Sequence, residues 1–207
     1  SVDQSIQDCT TALRILNFCS RTVQQDMAAK SRKTSPPSED PFTDNNTPKM
    51  AVKARDESAI ASSISFRESE WSIAQKMASC LLQLTELHLV RGSWRDAQYY
   101  LEKGQELGER LHSQIMKFKF LVAFSDYNLR CGSPNSSILN LKDAREIQPE
   151  GDIYLREDAE LYMAAGNVDA DQGSLSDAIK SYDVAEENFQ KILDAVYIAT
   201  IEGLVHR

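Results

Sequence analysis

The stretch Gly92-Ser93-Trp94-Arg95-Asp96-Ala97-Gln98-Tyr99-Tyr100-Leu101-Glu102-Lys103-Gly104 decides how this chain is read. A glycine followed by serine, after a long run without glycine or proline, marks the end of one helix and the start of the next. From there Ala97, Leu101 and Gly104 recur at four and three residues, the spacing of one helical face. Two of the three are small, so this face fits a crossing where a second helix comes close.

The same punctuation returns twice, at Gly132-Ser133 and Gly173-Ser174, 40 and 41 residues further along. Five positions after each glycine stands Ala97, Ser137 or Ala178; nine after, Leu101, Leu141 or Tyr182; twelve after, Gly104, Ala144 or Ala185. Seven positions before each glycine stands Thr85, Ser125 or Gly166. Close packing of paired helices requires small residues at such recurring positions. The glycines are expected to close the first helix of each pair in a left-handed cap, and Ser93, Ser133 and Ser174 to cap the second. The pairs read as Glu70–Arg91 with Trp94–Glu109, Ser113–Arg130 with Ser136–Ile147, and Ile153–Gln172 with a helix from Leu175 onward. Pro134 and Pro149 are placed between helices, and whether one helix or two follow Ala185 stays open.

Outside this array, Ile6, Cys9, Leu13, Leu16, Val23 and Met27 predict an N-terminal helix over residues 1–30. Residues 31–63, with Pro36, Pro37, Pro41 and Pro48 among Ser, Thr, Asp and Asn, read as a flexible, disordered linker, with a helical turn possible over Ala51–Ile60. Ser35-Pro36 and Thr47-Pro48 within it match the minimal target of proline-directed kinases, so Ser35 and Thr47 are candidate phosphorylation sites. Residues 64–207 carry about three hairpins and a C-terminal helix. The fold class is therefore all-α, helical hairpin repeats of period about 40 with an internal linker. A first residue of Ser1 instead of Met, and a helical pattern that runs to Arg207, suggest a piece of a longer chain.

Composition narrows function. Of 207 residues, 42% are apolar and 26% charged, and no run approaches the roughly 20 apolar residues of a membrane span. The N-terminus has no basic segment leading into an apolar one, so a cytoplasmic or nuclear location is expected. Cys9, Cys19, Cys80 and Cys131 form no CxxC pair and read as small buried residues. The net charge of −8 is uneven: residues 146–207 hold 14 acidic side chains against four basic, a local balance of −10. That excludes a phosphate-backbone binder and favours a basic or neutral protein segment.

Three histidines, His88, His112 and His206, lack partners at metal or triad spacing, and no phosphate-binding glycine motif occurs. No catalytic residue, metal, cofactor or small-molecule substrate is expected. Cys131 with His88 or His112 makes a thiol–imidazole dyad only on paper. The binding candidates are Tyr99, one of an adjacent tyrosine pair that must face outward, and Glu157, Asp158 and Glu160, read as a solvated acidic strip on a helix face. Trp71, Trp94 and Tyr100 are placed either in a peptide groove or in the core, the core being favoured for the tryptophans.

The small-residue phasing resembles the tetratricopeptide repeat, most clearly in Gly166, Gly173, Ala178, Tyr182 and Ala185, with a period of about 40 where about 34 is usual. The stretch from Glu70 to Leu84 (EWSIAQKMASCLLQL), followed by Gly92-Ser93-Trp94-Arg95-Asp96-Ala97-Gln98-Tyr99-Tyr100-Leu101-Glu102, resembles the helical-repeat region of fungal separases. About 80 residues carry the likeness. It implies the non-catalytic arm of a cysteine endopeptidase acting in chromosome segregation, a scaffold that supports a separate protease domain and contacts the extended inhibitory chaperone securin. No catalytic residue carries over, because the protease His and Cys belong to another domain. A tetratricopeptide-like subunit of another cell-cycle or cohesin-loading complex is the alternative. A reading of a different class is a small hydrolase or metal site built on the acidic C-terminal carboxylates.

Overall fold

Helix breakers divide the chain, and what lies between them is helical. The computed structural model describes residues 1–33 and 50–205. It shows seven α-helices: α1 (Val2–Lys33), α2 (Met50–Arg91), α3 (Trp94–Arg110), α4 (Gln114–Arg130), α5 (Pro134–Glu146), α6 (Leu155–Asp171) and α7 (Leu175–Val205). A 3-10 turn, Asp152–Tyr154, precedes α6, and no strand occurs among the described residues. The chain is all-α.

Three boundaries differ from the sequence reading. Met50–Ser63, assigned to the linker, belongs to α2, because nothing between Pro48 and Gly92 interrupts an alanine-rich run of good helix formers. At its other end residues 31–33, also assigned to the linker, belong to α1, and the rest of the expected linker, residues 34–49 with Ser35 and Thr47, lies outside the described residues. Pro134 stands inside α5 as its first residue, where a missing amide costs no hydrogen bond. Beyond Ala185, where the sequence left one helix or two open, a single helix continues.

The chain forms two compact units, Asp3–Cys80 and Leu81–Arg207. In the first, α1 lies along the Glu70–Cys80 part of α2, and Gln24 Nε2 donates to Glu70 Oε1 at 3.5 Å. An apolar groove of about 540 Å³ runs between Ala12, Ile15 and Leu16 of α1 and Ser72, Gln75, Lys76, Ser79 and Cys80 of α2.

The second unit is built on repeated chain reversals. Gly92, Gly132 and Gly173 have φ of 78°, 75° and 79°, and each following serine amide reaches back five residues to a carbonyl at 2.8 Å. This six-to-one bond is the Schellman closure of a helix. His112 adopts φ 50° in the same closure, with Ser113 N–H donating to the Gly108 carbonyl at 2.9 Å. The left-handed conformation costs a residue with a Cβ about 1 kcal/mol, so glycine is the usual occupant and the sequence reading passed over His112. With this fourth reversal the helices of the unit begin at residues 94, 114, 134, 155 and 175, 20 or 21 apart. Capping by hydroxyl is rarer than expected. Ser113 Oγ accepts from Met116 N–H at 3.3 Å, whereas the Ser93 and Ser133 hydroxyls make no such bond.

Small residues set the helix separations. Thr85, Ala97, Ser125, Ser137, Gly166 and Ala178 are all buried. Between α4 and α5 the two hydroxyls of Ser125 and Ser137 lie 2.7 Å apart, and Ser137 Oγ also donates to the Ser125 carbonyl at 2.9 Å. That pair satisfies polar groups that burial would otherwise leave without partners. Between α3 and α4, Gly104 leaves room for the Phe120 ring, which a Cβ there would strike. One core cluster joins Phe118, Leu141, Ala144, Leu161, Ala164, Ala165 and Val168, so α4, α5 and α6 share a core.

The hairpin interiors hold Leu81, Leu84, Ala97, Leu101, Leu141, Ala144, Ala178 and Ala185, all buried. Leu121 and Phe124 are half-buried. Tyr182, in the register of Leu101 and Leu141, differs from them: its ring lies against Gly166 and its hydroxyl donates to Asn167 Oδ1 at 2.9 Å, but its outer edge is exposed.

Ala178→Leu and Gly104→Ala both force extra atoms into a closed crossing. Each is expected to destabilise the fold by about 1–3 kcal/mol, which thermal melting detects as a fall in Tm. An unchanged Tm for both would mean that these residues do not set the helix separation.

Candidate functional site

The second unit contains a polar groove of about 410 Å³ lined by Gln98 and Gln105 of α3, Phe124, Tyr127 and Asn128 of α4, Cys131 and Ser133 of the following turn, and Asn140 of α5. Gln98 and Gln105 are seven residues apart, two helical turns, and so share a face of α3. Asn128 and Cys131 reach the groove because α4 ends there in the Gly132 closure. The Phe124 and Tyr127 rings meet edge to face with centroids 6.5 Å apart.

The groove has one fixed amide and three unused ones. Gln98 Oε1 accepts from the Tyr127 hydroxyl at 3.3 Å while its Nε2 donates to Glu102 at 2.9 Å. Burial, and then the Cys131 thiol beside it, push the Tyr127 phenol upward, so the hydroxyl stays a donor at neutral pH. The carboxamides of Gln105, Asn128 and Asn140 have no hydrogen bond to another described side chain, and no charged side chain lines the groove. Each carboxamide offers one acceptor oxygen and two donor hydrogens. That combination matches a peptide backbone in an extended stretch, where every residue presents one N–H and one C=O.

The residues singled out from sequence are not gathered into one site. Tyr99 faces outward as expected, 53% exposed, with its ring at the edge of Tyr100 and Lys103 Nζ 5.8 Å above it, but it does not line the groove. The acidic strip on α6 is a correction. Glu157 is only 8% exposed and holds Lys119 of α4 at 2.7 Å, so it ties two helices together instead of facing solvent. Asp158 accepts from Gln148 Nε2 at 2.8 Å, and Glu160 pairs with Arg156 on its own helix at 3.0 Å. Trp71 and Trp94, favoured as core, are both partly exposed. Cys131 is exposed, and Cys9, Cys19 and Cys80 are half-buried, so none is the fully buried residue expected.

His88 is buried, stacked on Tyr100 with centroids 5.3 Å apart, and neither ring nitrogen has a hydrogen-bond partner. Burial lowers its pKa; the Asp96 carboxylate, 3.6 Å from Nδ1, opposes this and Arg91 adds to it. No group of three or more His, Cys, Asp or Glu among the described residues could hold a metal ion, and no described helix is long and apolar enough to cross a membrane. Comparison with known proteins returns no match, whether with family models, curated proteins or solved structures.

The amide groove escaped the sequence reading because glutamine and asparagine carry no charge and follow no catalytic spacing. The one signal was Gln98 and Gln105 on a single face, with Asn128 and Asn140 flanking the Gly132 turn.

Two outcomes are expected. Glu157→Lys abolishes a largely buried pair and places like charges together, costing about 3 kcal/mol or more by denaturant melting, whereas Glu160→Lys changes stability by less than about 1 kcal/mol. Equal effects would contradict the tie to Lys119. For His88, the unfolded chain takes up a proton at a higher pH than the folded one, so stability falls as pH drops through the ordinary imidazole range near 6.5. His88→Gln should show a smaller loss between pH 7.5 and 5.5 than the wild type. An equal loss would place the acid sensitivity elsewhere.

Proposed function

We propose that this chain is a non-catalytic scaffold of tetratricopeptide-like helical hairpin repeats, and that it holds an extended protein segment in the groove between α3, α4 and α5. The observation that carries this reading is that three unused carboxamides and the paired Phe124 and Tyr127 rings line one groove, with no charged side chain in the lining. Carboxamides bind backbone amides without regard to side-chain sequence, and the Phe124 and Tyr127 rings add apolar contact area. The left-handed closures at residues 92, 132 and 173 support the hairpin-repeat reading.

The likeness to the separase arm gives this scaffold a setting. The Gly92–Glu102 segment that carries the likeness forms the turn into α3 and the first part of α3, with Gln98 in the groove. In that setting the occupant is an extended inhibitory segment of the securin kind. The same groove serves a tetratricopeptide-like subunit of another cell-cycle complex equally well.

Selection from a random library of 12-residue peptides tests the binding reading. Recovered peptides are expected to lose at least tenfold in affinity for the Asn128→Ala, Asn140→Ala double variant. Their affinity should change little between 50 and 300 mM salt, because the groove presents no fixed charge. Peptides whose binding ignores the double variant, or the recovery of none, would contradict it.

A further inference from the structure

In the three helices α3, α5 and α7, the residue nine positions past the left-handed glycine occupies one register: Leu101, Leu141 and Tyr182. Leu101 is 0% and Leu141 5% exposed, but Tyr182 is 36% exposed. The difference follows from what comes next. Helix α4 packs on α3, and α6 packs on α5, so the first two positions are covered. On α7 the same face continues as an open apolar stripe through Leu175, Ile179, Tyr182 and Leu193, with Phe189 half-buried within it. Their spacing of four, three, seven and four residues keeps them on one side of the helix, beside the buried side that holds Ala178, Ala185 and Asn188.

The other border of the stripe is acidic: Asp183 and Asp194 stand on it with Gln190 between them, Gln190 Nε2 donating to Asp194 Oδ1 at 2.8 Å. Glu186, in register with Ile179 and Leu193, puts a third exposed carboxylate within the stripe itself. From Leu175 to Val196 the helix holds five acidic and two basic side chains. Of these, Asp177 is occupied by Lys180 at 2.7 Å and Glu187 by Lys191 at 2.9 Å. Those two pairs use both lysines and leave the acidic border without a basic neighbour on α7.

We propose that this stripe is a second docking surface, and that its occupant is an amphipathic helix of a protein partner with Lys or Arg along one edge. The occupant lies on α7 as α4 lies on α3, with its apolar face on Ile179, Tyr182 and Leu193, its basic edge against Asp183 and Asp194, and one basic side chain reaching in to Glu186. Helix-in-groove recognition reads anchors at this three-to-four spacing, and the acidic edge selects the charge and orientation of the partner. The surface is distinct from the amide groove and stands whether or not that groove binds peptide.

The test uses the whole chain and two synthetic 18-residue helical peptides with the same leucine stripe, one edged with lysine and one with glutamate, read by fluorescence anisotropy. The lysine-edged peptide is expected to bind, and the glutamate-edged one to bind at least tenfold more weakly. Asp183→Lys with Glu186→Lys should reverse that preference, while Ile179→Lys abolishes both and the Asn128→Ala, Asn140→Ala double variant leaves both unchanged. Circular dichroism confirms that each variant keeps its helices. Equal binding of the two peptides, or binding of neither, overturns the proposal. So does a dimer in sedimentation that Ile179→Lys dissolves, because the stripe would then be covered by a second copy.

Discussion

Close approach of neighbouring helices is the constraint on which the second unit depends. Thr85, Ala97, Ser125, Ser137, Gly166 and Ala178 are all buried, and none has a side chain longer than threonine. Their smallness lets neighbouring backbones approach, and the larger residues beside them, Leu101, Phe118, Phe120 and Leu141, then fill the space between turns. Close approach also has a polar cost, which the Ser125–Ser137 hydroxyl pair meets within the crossing.

The chain reversals make that packing possible, because they return each helix after a fixed length. Four of them share one geometry, a left-handed residue followed by a serine whose amide closes the helix behind it. The groove depends on this closure. Asn128 supplies the carbonyl that the Ser133 amide bonds, so the turn that ends α4 also holds Asn128 and Cys131 at the groove edge. Both aromatic rings of the groove come from the same helix, and the Tyr127 hydroxyl fixes the one amide, Gln98, that does not remain free.

Much of the helical architecture was legible because glycine and proline act locally. The three glycines gave three of the four left-handed closures, and the small residues keyed to them are buried as that spacing required. His112 was not legible, since a histidine carries no compositional mark of a left-handed conformation. The start of α2 at Met50 was missed because the prolines before it coloured the reading of the residues after it. Glu157 shows the limit of charge counting. Sequence gave its sign, but its partner, Lys119, lies 38 positions away on another helix, and only tertiary packing makes the carboxylate a tie instead of a surface charge. The groove was the least legible feature, because neutral amides become a site only when α3, α4 and α5 bring them together.

The central claim is that those amides contact a bound backbone directly. Side-chain NH₂ resonances of Gln98, Gln105, Asn128 and Asn140 in a two-dimensional nitrogen–proton NMR spectrum report on this, recorded while a library-selected peptide is added. The account predicts that the Gln105, Asn128 and Asn140 resonances shift in proportion to occupancy, with Gln98 following through its bond to Tyr127. Saturated binding with these four unmoved, and shifts confined to α1 or α6, would contradict it.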